Sequence, residues 1–346
     1  MRDSNDSVRP IQWKGEHLEL LDQRKLPQSK EHVVLKSADE VAEAISSMVV
    51  RGAPAIGMTA AYGLVLEAKR LERNSGDKWR ESLMSAYEVL MNSRPTAVNL
   101  RWALERMKGV VDRGASLEEL ELEANLMMKE DLEGNHRMGE LGSELIKKGS
   151  GIYTHCNTGS LATAGYGTAL GVVRNAYAKK LTENIYAGET RPWLQGARLT
   201  AWELLQDGIP VKLVVEGAAG SLFQEGKVEW VIVGADRITA QGDTANKIGT
   251  YNLAVLARHH GARFMVVAHS STIDKRLVDG KDIPIETRPA SEVTQLAGNL
   301  IAPEGIPAYN PAFDVTPHDL IDVIVTEKGV VKKPDLVSME SVLPTS

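Results

Sequence analysis

The chain predicts an α/β protein, with an N-terminal mainly helical domain carrying a few short strands over roughly residues 1 to 140 and a Rossmann-like domain with a mainly parallel sheet over 141 to 346. Two observations predict this. Apolar residues recur at helical spacing through the first part, whereas from Gly151 short apolar runs alternate with helical segments, the pattern of βαβ units. Gly-rich junctions then stand where the apolar runs end, and in open α/β sheets ligands bind beyond the carboxyl ends of the strands.

In the first part, Pro27 closes an opening segment and Val33 to Leu35 reads as a short strand. Ser37-Ala38-Asp39-Glu40 starts a helix, since a Ser or Asp side chain accepts orphan amide hydrogens. Val41, Ile45 and Val49 recur on its buried face. Arg51-Gly52-Ala53-Pro54 follows, and Pro54 suits the first turn of the next helix, where a missing amide hydrogen costs nothing. That helix, Met58 to Ala68, is rich in Ala and Gly and should pack closely. Helical stretches continue over about Trp79 to Leu90, Val98 to Val111 and Leu117 to Lys147, the last with charges facing water.

Strands are expected near Ile152-His155, Asn184-Ala187, Val211-Val215, Val228-Val233, Ala262-Ala268 and Leu320-Val325. The proline-rich stretch from His269 to Pro317 reads as non-strand, covering the site or a partner surface.

Composition bounds the function. A hydrophobic fraction of 43% with 25% charged residues describes a compact globular chain. The formal charge of -6 argues against a large nucleic-acid or anionic-membrane footprint. One cysteine forms no internal disulfide and no paired-thiolate metal site. The N-terminal residues carry no apolar run of the signal-peptide kind, so cytoplasm is the expected compartment.

The candidate chemistry lies at the junctions. Cys156, in Thr154-His155-Cys156-Asn157-Thr158-Gly159, sits at a strand end, where a nearby helix N-terminus would lower its pKa; a buried small hydrophobe is the competing reading. His155 should point to the other face of the strand, which weakens a Cys-His relay. Asp236 follows the apolar run ending at Val233, and the loop Gly242 to Gly249 with the helix start after it offers amides to a phosphate, helped by Asn246 and Lys247. Capping a helix or pairing with Arg237 is the competing role for Asp236, and capping the next helix is the preferred one for Asp243 and Thr244. Arg51, Arg94 and Arg191 suit a phosphate if they converge. No dinucleotide fingerprint or Walker motif is present; Gly165 to Gly171 has unsuitable spacing and marks close helix packing.

Several blocks together resemble the methylthioribose-1-phosphate isomerases, in the superfamily of the initiation factor 2B regulatory subunits and the ribose-1,5-bisphosphate isomerases. They are Arg51 to Gly57, Ser93 to Thr96, Thr154 to Gly159, Glu189 to Pro192, Leu194 to Thr200, Gly234 to Ile238, Gly242 to Tyr251 and Asn310 to Asp314. The resemblance implies Cys156 and Asp236 as the catalytic pair, and Arg51, Gly52, Ala53, Arg94, Gln195, Asn246 and Lys247 as ligands of a small phosphosugar. It also implies a homodimer and a reaction in methionine salvage that needs no metal and no cofactor. The alternatives are a ribose-1,5-bisphosphate isomerase and a non-catalytic regulatory protein.

Three departures stand out against that resemblance. Glu216-Gly217-Ala218-Ala219-Gly220 replaces a common Asp-Ser-Met-Ala-Ala, His269 replaces a proline, and Gly188 stands where cysteine is frequent. The first is expected to alter the pocket for the 5-substituent of the sugar, so that 5-deoxyribose 1-phosphate joins the methylthio sugar as a candidate substrate.

Overall fold

The computed structural model describes residues 6–75 and 79–343. The chain opens with a small antiparallel sheet of β1 (Ile11–Trp13), β2 (Leu18–Leu21) and β3 (His32–Leu35). Five helices follow: α1 (Ala38–Ser46), α2 (Ala53–Ser75), α3 (Trp79–Ser93), α4 (Val98–Asp112) and α5 (Leu117–Ser143). Ser37 caps α1 by accepting from the Glu40 amide at 3.2 Å. Ser116 and Glu119 close a reciprocal capping box at the start of α5.

The small-residue face of α2 packs as its composition predicts. A Cβ on Gly57 would lie 2.7 Å from the Asn99 carbonyl of α4, so only glycine lets the two helices approach this far. One apolar cluster, from Val41 and Ile45 through Leu64, Leu100 and Leu120, joins all five helices to the small sheet.

Beyond α5 the chain builds a seven-stranded sheet. Its members enter as β4 (Gly151–Thr154), α6 (Ala169–Ala178), β5 (Asn184–Gly188), α7 (Ala201–Gln206), β6 (Lys212–Val214), α8 (Ala219–Gln224) and β7 (Trp230–Val233). Then come β8 (Arg237–Thr239), β9 (Thr244–Lys247), α9 (Thr250–His260), β10 (Arg263–Val267), β11 (Ile273–Asp274), β12 (Gln295–Leu296), β13 (Asn299–Leu300), β14 (Phe313–Thr316), β15 (Val323–Thr326) and β16 (Gly329–Lys332). The large sheet runs β16-β15-β10-β7-β4-β5-β6, parallel throughout except for β16. Apolar clusters cover both of its faces, as a parallel sheet requires. Every strand expected from the apolar runs is present in it.

Its order has one consequence for function. The chain lays β5 and β6 to one side of β4 and then returns to lay β7 on the other side, so the topological switch point falls between β4 and β7. Cys156 follows the first of these strands and Asp236 the second.

Two expectations are corrected. Asn246 and Lys247 are the last residues of strand β9, not part of a loop and helix start; α9 begins only at Thr250. The stretch from His269 to Pro317 is not free of strands, because β11 and β14 complete a second sheet of order β11-β8-β9-β14. Its strands are short, and β14 joins β9 at long range, with Asp314 opposite Asn246. Such pairing leaves no local periodicity to read.

Candidate active site

A cavity opens over the switch point, walled by the α1–α2 turn, the segment after α3, the ends of β4, β7 and β10, and strand β9. Cys156, Asp236, Arg51, Gly52, Ala53, Arg94, Gln195, Asn246 and Lys247 all line it.

Cys156 takes a left-handed backbone (φ 60°), unusual for a side chain larger than glycine, and is 7% exposed. Neighbours hold it on both sides: its amide donates to Thr190 Oγ1 at 2.9 Å, and its carbonyl accepts from Thr200 Oγ1 at 2.6 Å. No α-helix starts at the cysteine; a short 3-10 turn, Ser160–Ala162, follows instead. The expected depression of the thiol pKa by a helix end is therefore corrected. Burial pushes the thiol up, opposed by the charges of Arg51 and Lys247.

His155 turns away, as expected. Its Nε2 donates to the Ile248 carbonyl at 2.8 Å, so Nδ1 is left as the acceptor facing Thr190 Oγ1 at 3.4 Å. Burial lowers its pKa to about 4, and the ring is neutral.

Asp236 is neither a helix cap nor the partner of Arg237. Arg237 reaches Asp274 at 3.6 Å and the Thr96 carbonyl at 2.8 Å. The Asp236 amide donates to Ala245, while its carboxylate takes no protein hydrogen bond among the described residues. Burial pushes this carboxyl up, against the pull of Lys247, Arg94 and Arg51. The accessible area of Asp236 and Lys247 faces the cavity, so both are surrounded by protein although neither is fully covered.

The cations converge only in part. Arg51 and Arg94 reach the cavity, but Arg191 does not: its guanidinium donates to the carbonyls of Pro192 and Val293. Gly52 (φ 97°) needs its missing side chain, since a Cβ there would fall 2.5 Å from that of Ala162. Gln195 leads into a π-helical turn, Gly196–Thr200, a feature frequent at functional sites, and its Oε1 is buried without a partner. Asn246 is held by Thr250 Oγ1 at 3.0 Å.

Asp243 caps no helix. It collects the amides of Gly280 and His318 and the His318 ring, tying loops together. Gly165 and Gly167 precede α6 rather than lying within it, while Gly139 of α5 lets α6 approach, since a Cβ on it would fall 2.9 Å from the Gly171 carbonyl.

The departures sort themselves by position. Glu216 to Gly220 line no part of the cavity; Glu216 accepts the Arg191 amide at 2.7 Å, so the expected effect of this segment on the 5-substituent pocket is not found. At Gly188 a Cβ would lie 2.4 Å from the Tyr153 hydroxyl, which occupies that space. His269 does line the cavity. Its Nε2 donates to Asn135 Oδ1 at 2.9 Å and lies 3.1 Å from Asp131 of α5, while Nδ1 faces Glu327 at 3.6 Å.

Sequence reasoning assigned no role to Asn157, Thr190, Thr200 or Glu203, which build the floor beneath Cys156. Asn157 stood in the quoted motif without a reason of its own. Glu203 lies in Trp202-Glu203-Leu204 and carries no signal that its carboxylate turns inward.

A Rossmann-like sheet with a thiol and an unpaired carboxylate at its switch point, roofed by arginines from a helical layer, defines a class of small-molecule enzyme rather than a dinucleotide binder. Residues 49–333 match the Initiation factor 2 subunit family. A methylthioribose-1-phosphate isomerase of Thioalkalivibrio sulfidiphilus is 60% identical over 340 residues, covering 98% of this chain and 97% of the relative. The crystal structure of 5-methylthioribose 1-phosphate isomerase from Pyrococcus horikoshii superposes with a TM-score of 0.92 at 46% identity, covering 99% of this chain and 97% of that one. A structure described as translation initiation factor eIF-2B, subunit delta, from A. fulgidus gives 0.85 at 42% identity, over 96% of this chain and 100% of that one. The chain belongs to the methylthioribose-1-phosphate isomerase family.

Proposed function

We propose that this protein is an aldose-ketose isomerase that converts 5-methylthioribose 1-phosphate to 5-methylthioribulose 1-phosphate, and that Cys156 and Asp236 move the protons. The observation that carries the reading is the pairing of a buried thiol with a carboxylate that has no protein partner, across one cavity at the switch point.

An aldose with phosphate on C1 cannot open its ring as a free hemiacetal does. In the proposed sequence Asp236, kept protonated by its buried setting, gives its proton to the ring oxygen, and the C1–O bond breaks with positive character at C1. Cys156, as thiolate, takes the C2 proton and leaves an enol. The thiol proton passes to C1, the C2 hydroxyl proton returns to Asp236, and the ketose 1-phosphate is released with both groups restored. Arg51, Arg94, Lys247 and the amides at Gly52 and Ala53 hold the phosphate, and Gln195 and Asn246 the hydroxyls.

Apolar groups, Ile56, Ala97, Ile283 and Ile285, line the same cavity and suit a methylthio or methyl substituent. Arg288 on that wall is already paired with Glu286 at 2.9 Å and Glu292 at 2.5 Å, which argues against a second phosphate. A hydrophobic pocket separates a methylthio from a methyl group by only about 1–3 kcal/mol, so 5-deoxyribose 1-phosphate is included in the proposal. The division near residue 140, the homodimer and the cytoplasmic location are proposed with it. Among the described residues no helix is long and apolar enough to cross a membrane.

The test is conversion of the methylthio, deoxy and 5-phosphate sugars by the purified protein, side by side. Turnover of the first is expected, with the second within about 10–200-fold and the third far slower. Absence of turnover on all three would return the protein to the regulatory reading.

A further inference from the structure

We propose that Glu203 is a positioning residue for this site: through the side chain of Asn157 it holds the Arg51 guanidinium over the cavity beside Cys156. The inference deepens the functional reading above and rests on it.

The connection is continuous. Glu203, on α7, is fully buried (0% exposed), as are Asn157 (0%) and Arg174 (1%). One carboxylate oxygen accepts from Asn157 Nδ2 at 2.5 Å; the other accepts from the Ser160 amide at 2.7 Å and from Arg174 Nη2 at 3.1 Å. Because a carboxylate only accepts, the Asn157 amide is locked with its nitrogen inward. Its Oδ1 then faces outward and accepts from Arg51 Nη1 at 2.6 Å, and Arg51 Nη2 donates to the Asn157 carbonyl.

The arrangement has a chemical logic. Contact with Glu203 itself would neutralise Arg51 and spend its donors. An amide placed between them passes on the orientation but carries no charge, so the cation remains available to a phosphate. Asn157 also donates to Thr200 Oγ1 at 3.2 Å, the hydroxyl that grips the Cys156 carbonyl. Gly159 makes room for this carboxylate: a Cβ there would fall 2.1 Å from Glu203 Oε1. The negative charge is balanced below by Arg174, which also donates to Asp207 at 2.5 Å.

Glu203→Gln sets an amide nitrogen against donors that now meet oxygen, and so frees the Asn157 amide to turn and release Arg51. The experiment is a double-mutant cycle on KM for 5-methylthioribose 1-phosphate, with Glu203→Gln, Arg51→Ala and the pair. Arg51→Ala is expected to raise KM by about tenfold or more, the scale of a charged hydrogen bond. Glu203→Gln raises it by roughly tenfold in the wild type but by less than about twofold once Arg51 is gone. A merely structural loss reduces the folded fraction, which lowers apparent kcat and leaves KM in place. Should Glu203→Gln not fold, Asn157→Ala cuts the same connection while leaving Glu203 on Ser160 and Arg174, and the same cycle applies. Equal fold-changes in both backgrounds overturn the positioning role. An unchanged KM in Arg51→Ala overturns instead the phosphate role of Arg51 on which it rests.

Discussion

Lys247 donates to the Ala312 carbonyl at 3.0 Å, and its ammonium stands 4.7 Å from the centre of the Phe313 ring, so this cavity charge is held in place from β14. Its field favours the thiolate of Cys156, and burial lowers its own pKa. Removing the charge in Lys247→Met is expected to move the midpoint of Cys156 alkylation to higher pH. With one cysteine in the chain, the rate of iodoacetamide labelling against pH reads this directly. An unmoved midpoint would show that the charge does not act on the sulfur.

The catalytic assignment predicts a division between turnover and affinity. Cys156→Ser and Asp236→Asn should each reduce kcat by about 10²–10⁴-fold, the worth of positioned acid-base groups, with KM changing far less. Near-normal turnover in either removes that residue from the mechanism. A C2 deuterium that is lost to solvent during turnover fits the thiolate route; one retained at C1 points to a hydride shift.

Gly188 and Tyr153 share one volume. Gly188→Ala is expected to cost roughly 1–3 kcal/mol, since the ring lies in the core and cannot withdraw. Tyr153→Phe alone should be nearly neutral, because its buried hydroxyl has no partner to lose. In the double variant the cost of the alanine should fall. Urea unfolding of the four proteins measures this, and strict additivity would sink the shared-volume account.

His155 predicts a pH window for stability. Its folded pKa, about 4, lies below the ordinary histidine value of 6.5, so the unfolded chain binds the extra proton. The contribution is therefore complete above pH 6.5 and is lost as pH falls toward 4, by about 3 kcal/mol in all. His155→Gln, which titrates nowhere in this range, should flatten that part of the Tm against pH curve. An unchanged curve would place the acid sensitivity elsewhere.

How much of this was legible in the sequence depends on how local its cause was. Val231 to Val233 are a run of buried β-branched residues, and such runs announce strands without reference to anything distant. Ser37 announces a helix start for the same reason. Thr244 to Lys247 form a strand because Arg237 to Thr239 lie on one side of them and Phe313 to Thr316 on the other, and nothing within the segment announces the second, distant partner. The same holds in the site. Cys156 and Asp236 were legible as polar residues ending apolar strands. Glu203 was not, because its partners Asn157 and Ser160 lie more than forty positions away, each pair separated by 46 or 43 residues. Arg191 shows the opposite error, a promising residue type whose side chain is used up on backbone carbonyls.

The cavity draws Arg51 to Ala53 and Arg94 from the helical layer, and Cys156, Asp236 and Lys247 from the sheet side. On the proposed function, a phosphosugar seated there would touch both layers at once, and its binding energy would add to whatever holds them together. By mass action, ligand at a hundred times its Kd deepens the folded state by about 2.7 kcal/mol. Substrate at such a level is therefore expected to slow limited proteolysis of the purified protein, in proportion to the stability it adds.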